Sequence, residues 1–244
     1  MTPQSPSPQT ASSPAPVVVF DFDHTLYDGD SLGQLLRWLI SRHVLRCIVA
    51  LLATPLLAPL IYLLKTRLTA IRVYIWIATV RWRSVFDFQQ AIDQFVSVQH
   101  SRLRGRLLTQ GLECFSAHRL AGDRVVIATG APVALARSLI ALAGISDVTI
   151  LGSDIKLRQW ALCSLRHCHH HQKVAMLKEA GFYPITTAYS DSFADLPLLL
   201  AARRPVVVNP KETQITVWKQ RLPPGTPIVN WGCPRRGGHR HGAG

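Results

Sequence analysis

Asp21 and Asp23 lie one residue apart in FDFDHTLYDG, directly after the apolar run Val17-Val18-Val19. Two carboxylates at the end of a buried strand repel each other and resist desolvation, so something in the site must compensate. A metal ion is the usual candidate. Two further stretches have the same form, an apolar run that ends in polar groups. VVIATGAP delivers Thr129-Gly130 ahead of a helical pattern, and ITTAY runs into YSDSFADLPLL with Asp191 and Asp195. Carboxylates from two strand ends can hold a divalent, oxygen-preferring ion, with Mg²⁺ the first choice. Thr129-Gly130 and the backbone amides at the following helix start form an anion site. A phosphate beside a metal, with a spare carboxylate aimed at it, is the arrangement of phosphoryl transfer.

These residues need a scaffold that brings separate strand ends to one place. Short apolar strands are expected at 17–20, 124–128, 148–151, 185–189 and 205–208, alternating with helices at 109–119, 133–143, 172–180 and 194–202. Strands apolar throughout, rather than alternating, indicate a parallel sheet covered on both faces. The fold class is therefore α/β, a doubly wound, Rossmann-like parallel sheet whose ligands sit beyond the carboxyl ends of the strands. Residues 17–30 and 105–230 make up this catalytic domain. Residues 31–104 are an inserted helical cap, while 1–16 and 231–244 read as disordered or flexible tails, the first Ser/Pro/Thr-rich and the second basic.

The insert is the departure from an ordinary soluble enzyme. Cys47 to Leu64, CIVALLATPLLAPLIYLL, is 18 residues without a charge, and Pro55 and Pro59 are expected to bend it. Trp38, Tyr74, Trp76 and Trp82 are placed as interfacial aromatics, and Arg37, Arg42, Arg46, Lys65, Arg67, Arg72, Arg81 and Arg83 flank the apolar runs. Because chain on both sides of the insert builds one domain, a single crossing is excluded, and a re-entrant or interfacial helical hairpin is expected. The whole chain of 244 residues carries a formal charge of +13 with 48% apolar residues. No aromatic and basic interleaving of a nucleic-acid-binding type accompanies that charge, which points to an anionic lipid surface rather than nucleic acid, with no obligate protein partner implied. Five cysteines, an odd number without regular spacing, fit a reducing compartment. The run His167-Cys168-His169-His170-His171 with Cys163 suggests zinc, but consecutive residues cannot all converge on one ion. It reads instead as a substrate loop in which Arg166 or His171 meets an anionic head group.

DFDHT resembles the first motif, DxDxT, of the haloacid dehalogenase-like phosphatase superfamily. VVIATG resembles the second, Lys173 in HHHQKVAMLKEAG the third, and YSDSFADLPLL the fourth. The resemblance implies that Asp21 is a nucleophile forming an aspartyl-phosphate and that Asp23 is the acid and base. It makes Thr129 and Lys173 phosphoryl ligands. Mg²⁺ would be held by Asp21, Asp191 and the backbone carbonyl of Asp23, with Asp195 in its outer shell or as a direct ligand. The family more often has Gly where this chain has His24. A cap between the first and second motifs resembles the subgroup containing phosphoserine phosphatase, while SLGQLLRWLISRHVLRCIVALLATPLLAPLIYLLK resembles the membrane-attached part of bacterial phosphatidylglycerophosphatase C enzymes. That second resemblance implies phosphatidylglycerol phosphate as substrate and the cytoplasmic face of a bacterial inner membrane as location. The alternatives are another lipid phosphate (lysophosphatidic or phosphatidic acid), a soluble phosphomonoester such as phosphoserine, or a membrane-bound scaffold without turnover.

Overall fold

The computed structural model describes residues 14–62, 67–80, 84–158, 161–166, 168 and 171–233. In chain order the elements are β1 (Val17–Phe20), α1 (Ser31–Ser41), α2 (Val44–Tyr62), α3 (Arg67–Thr79), α4 (Val85–Val98), α5 (His100–Arg104) and α6 (Thr109–Leu120). They continue as β2 (Arg124–Pro132), α7 (Val133–Ala141), β3 (Thr149–Arg158), β4 (Ala161–Arg166) and α8 (His171–Glu179). The chain ends with β5 (Ile185–Ser190), α9 (Leu196–Ala201), β6 (Ala202–Val208), α10 (Ile215–Arg221) and β7 (Ile228–Val229). One sheet of seven strands has the order β4-β3-β2-β1-β5-β6-β7. Every neighbouring pair is parallel except β3 with β4.

Side chains of β1 alternate between two cores, which accounts for its unbroken apolar sequence. Val18 and Phe20 join Leu35, Phe95, Phe115 and Leu139 of α1, α4, α6 and α7, whereas Val17 and Val19 join Leu177, Leu199 and Trp218 of α8, α9 and α10. The sheet is thus covered on both faces.

The first four helices of the insert pack on one another, and α1 and α4 also pack on α7. α1 is capped by Asp30, which accepts from the Gly33 amide, and α4 by a reciprocal pair of bonds between Ser84 and Asp87. α2 runs without a break through Pro55 and Pro59. Both prolines lie on the exposed side of the helix, opposite the face that Ala50, Thr54 and Leu57 present to the rest of the cap, so the lost backbone bonds fall where water can reach the carbonyls. α2 and α3 pack as a hairpin, tied by Thr54 Oγ1 to Tyr74 OH at 3.1 Å and by Arg46 to the Val80 carbonyl at 3.3 Å. Among the described residues no helix is long and apolar enough to cross a membrane.

Four sequence expectations change. The third strand extends to Arg158 and turns back as β4, so the sheet has an antiparallel edge. The chain from Trp231 to Cys233 belongs to the fold rather than to a tail. The Trp231 amide donates to Asn209 Oδ1 at 2.6 Å, and Cys233 is buried with its thiol 2.9 Å from Asp28 Oδ1. Trp38 and Tyr74 are not free interfacial aromatics. Trp38 packs edge-on against Phe95 under the Arg42 guanidinium, and Tyr74 is held by Thr54. Trp76 is exposed, and Trp82 lies outside the described residues. The helix assigned to 194–202 is shorter, because a 3-10 turn at Phe193–Asp195 precedes it.

Candidate active site

Strand register brings the polar groups together. Phe20 pairs with Ile127 of β2 on one side and Tyr189 of β5 on the other, so Asp21, Thr129 and Asp191 emerge one or two residues later at the same edge. β1 lies where the strand order reverses direction, the place at which open α/β sheets leave a crevice. Asp21 itself is fixed by its amide, which donates to the Tyr189 carbonyl at 2.9 Å.

Lys173 reaches into this crevice from the first turn of α8. Its ammonium donates to Asp21 Oδ1 at 3.0 Å and to Asp195 Oδ2 at 2.7 Å, and all three side chains are buried. Burial works against the lysine charge, but Asp195 and Asp21 outweigh it and lift its pKa above the usual lysine value. Ser190, at the end of β5, donates to the same Asp195 oxygen at 2.8 Å. The other oxygen, Asp195 Oδ1, is buried with no hydrogen-bond partner among the described residues.

Among the described residues, the carboxylates of the crevice outnumber the one ammonium that contacts them. Burial pushes Asp21 well above the ordinary carboxylate value; Lys173 opposes this, while the charges of Asp195 and Asp191 add to it. Asp23 is raised to about 7 by burial and by Asp30, against hydrogen bonding from Ser31, whose amide donates to Asp23 Oδ1 at 3.0 Å. Asp191 is buried and close enough for its charge to act on both. Four carboxylates around one ammonium, with one buried oxygen unpartnered, call for a further positive charge. An all-oxygen donor set of this kind fits Mg²⁺.

Thr129 is fully buried where β2 passes into α7. Its Oγ1 accepts from the Ala131 amide at 3.0 Å, which leaves its own O–H free to donate. The Gly130 carbonyl accepts from Ser153 at 2.7 Å, and Ser153 Oγ also accepts from the Cys168 amide at 3.3 Å. Close packing permits this seam only because residue 152 is glycine; a Cβ there would meet the Ala131 carbonyl oxygen at 2.7 Å.

Asp21, Asp23, Thr129, Gly130, Lys173, Asp191 and Asp195 therefore share one site. His171 is exposed and lines an outer groove with Val174, Lys178 and Leu200, because two residues of helix turn it away from Lys173. Arg166 ends β4, and its side chain lies outside the described residues, as do His167, His169, His170 and the Cys163 side chain. Cys168 is buried beside the Leu151 carbonyl, so the two described members of the His/Cys run point to different places. Ser31, Ser153 and Ser190 were not singled out from sequence. Ser190 alone left a signal there, as a polar residue closing the strand pattern ITTAYS.

Residues 18–200 match the haloacid dehalogenase-like hydrolase family. The chain belongs to that family. Its fold is shared with a Bordetella pertussis Tohama I protein described as of unknown function, at a TM-score of 0.71 and 21% identity over 90% of this chain and 100% of that one. A phosphoserine phosphohydrolase-like protein from Francisella tularensis superposes with a TM-score of 0.54 at 16% identity, over 79% and 87% of the two chains. A phospho-aspartyl intermediate analogue of phosphoserine phosphatase gives 0.52 at 13% identity, over 89% and 93%.

Proposed function

We propose that this hydrolase is a phosphatase, cleaving a phosphomonoester through an aspartyl-phosphate on Asp21, and that its substrate is a lipid phosphate at a membrane surface, phosphatidylglycerol phosphate in the first instance. The observation that carries the reaction is the buried contact of Lys173 with Asp21 inside a cluster of excess carboxylates. When bound at Asp21, Asp191 and the Asp23 carbonyl, Mg²⁺ supplies positive charge against the phosphoryl oxygens. The remaining steps belong to the chain's own residues. Lys173 and Thr129 hold phosphoryl oxygens by donated hydrogen bonds, which lets a carboxylate approach a dianionic phosphate. Asp21 attacks phosphorus and the bond to the leaving oxygen breaks. Asp23, whose pKa burial and Asp30 raise to about 7, gives that oxygen its proton. The carboxylate so formed then takes a proton from the water that attacks the aspartyl-phosphate and frees phosphate.

The lipid reading rests on the cap. Val44, Leu45, Ile48, Leu51, Leu52 and Leu56 of α2 are all exposed, and they lie on one face of a helix whose opposite face carries the buried Ala50 and Leu57. A helix apolar all round needs cover on both sides, and basic residues beside it favour an anionic surface. A soluble phosphomonoester such as phosphoserine is the second reading, favoured by the fold shared with phosphoserine phosphatase. Phosphate release in mixed micelles separates them. Phosphatidylglycerol phosphate should exceed phosphoserine and glycerol phosphate in kcat/KM by more than about tenfold, because remote binding energy positions the phosphate. Phosphatidic acid turned over faster in matched micelles would overturn the head-group choice, and phosphoserine turned over fastest would overturn the lipid reading.

A further inference from the structure

We infer that His24, Asp28 and Cys233 form a second metal site, suited to Zn²⁺ with water as the fourth ligand, that clamps the segment around Cys233 to the loop carrying Asp23. One ligand atom from each residue lies within 4.8 Å of the others, and Asp28 and Cys233 are buried while His24 is half-buried. Imidazole, carboxylate and thiol in one place are the donors of a tetrahedral zinc centre, not of the all-oxygen magnesium site. In such a centre the ligand atoms stand about 3.4 Å apart, so closure needs movements of roughly an ångström. The Cys233 thiol already lies 2.9 Å from Asp28 Oδ1. Binding releases the thiol proton to solvent, and the thiolate and carboxylate then balance the two charges of the cation. Arg106 opposes this, with Nη1 at 3.9 Å from Asp28 Oδ2, but the same nitrogen also donates to the Asp28 carbonyl at 2.8 Å and stays occupied there.

The backbone is built toward the same junction. His24 has φ of 60°, a left-handed conformation that residues other than glycine adopt only under strain. Its carbonyl accepts from Asn209 Nδ2 at 2.8 Å, and Asn209, itself left-handed at φ 47°, accepts from the Trp231 amide. Chain separated by some 200 residues thus meets directly behind Asp23, where a clamp would hold the acid and base in place.

Co²⁺ is the probe, titrated into the full chain with Mg²⁺ in excess to occupy the oxygen site. The expected result is one equivalent bound with thiolate-to-cobalt charge-transfer absorption and the strong visible bands of tetrahedral coordination. The charge-transfer absorption should vanish in Cys233→Ser and persist in Cys163→Ser and Cys168→Ser. His24→Asn, which keeps a residue that tolerates the left-handed conformation, should bind Co²⁺ at least about tenfold more weakly. Absorption that survives Cys233→Ser, or disappears in Cys163→Ser or Cys168→Ser instead, would place the thiolate elsewhere and overturn the proposal. So would the absence of charge transfer at equimolar Co²⁺, or unchanged affinity in His24→Asn.

Discussion

At the scale of single residues, the two aspartates of the opening motif differ in surroundings, and their tests differ accordingly. Asp21→Asn keeps the shape but removes the nucleophile and a metal ligand, so turnover should fall by at least about 10³. Phosphate trapped at low pH on the Asp21 peptide, seen by mass, should be found in the parent chain and not in the variant; a variant retaining a tenth of parental turnover would remove Asp21 from that role. Asp21 and Asp23 also make stability depend on pH. Both folded-state pKa values are raised, Asp23 to about 7, over an unfolded value of about 3.9. The folded state therefore binds more protons than the unfolded state across that interval, and without metal its stability falls as pH rises from about 4 to 7. Mg²⁺ competes with those protons. Its addition should raise the Tm little at pH 5 and clearly more at pH 8, measured against EDTA; an equal rise at both would contradict the coupling.

At the scale of elements, α8 is held to the sheet by a buried ion network at Lys173 and by Leu177 in the apolar core. Lys173→Met should cost about 3–5 kcal/mol by leaving Asp21 and Asp195 uncompensated, as read by urea unfolding. Adding Asp195→Asn should restore part of that loss, and a double variant no more stable than the single one would mean that the lysine acts through packing. The elements that reading by sequence recovered are those with uniform apolar runs. β1, β2, β5 and β6 were expected at positions overlapping the observed strands, and their polar ends located Asp21, Thr129 and Asp191. The β3–β4 hairpin was missed although Ile155-Lys156-Leu157-Arg158 alternates with the period of a half-covered strand. Unbroken apolar runs mark the strands of a parallel sheet, and an antiparallel edge obeys the other rule. β7 is two residues long, too short for any periodicity, and Cys233 is buried by contacts with a loop about 200 residues away. Such long-range partners leave no local trace.

At the scale of the whole molecule, an α/β domain with two covered cores and one crevice at the strand reversal is joined to a cap whose outer helix is apolar where it faces outward. Under the proposed lipid reading, charge and apolar surface make different predictions about how that cap would meet a membrane. If the net charge of +13 did the work alone, binding to anionic vesicles would disappear at about 1 M salt, where screening acts within about 3 Å. Apolar insertion is not screened, so the parent chain should still sediment with vesicles under those conditions. Leu45→Gln, Leu52→Gln and Leu56→Gln together should convert it to a protein that binds only at low salt. None of the three touches the crevice, so turnover of a soluble phosphomonoester should be retained by the triple variant while turnover of lipid in vesicles falls. Parallel losses on both substrates would mean that the cap had lost its fold. If high salt releases nearly all of the parent chain, the exposed face of α2 does not enter lipid, and the basic residues alone bring this enzyme to an anionic surface.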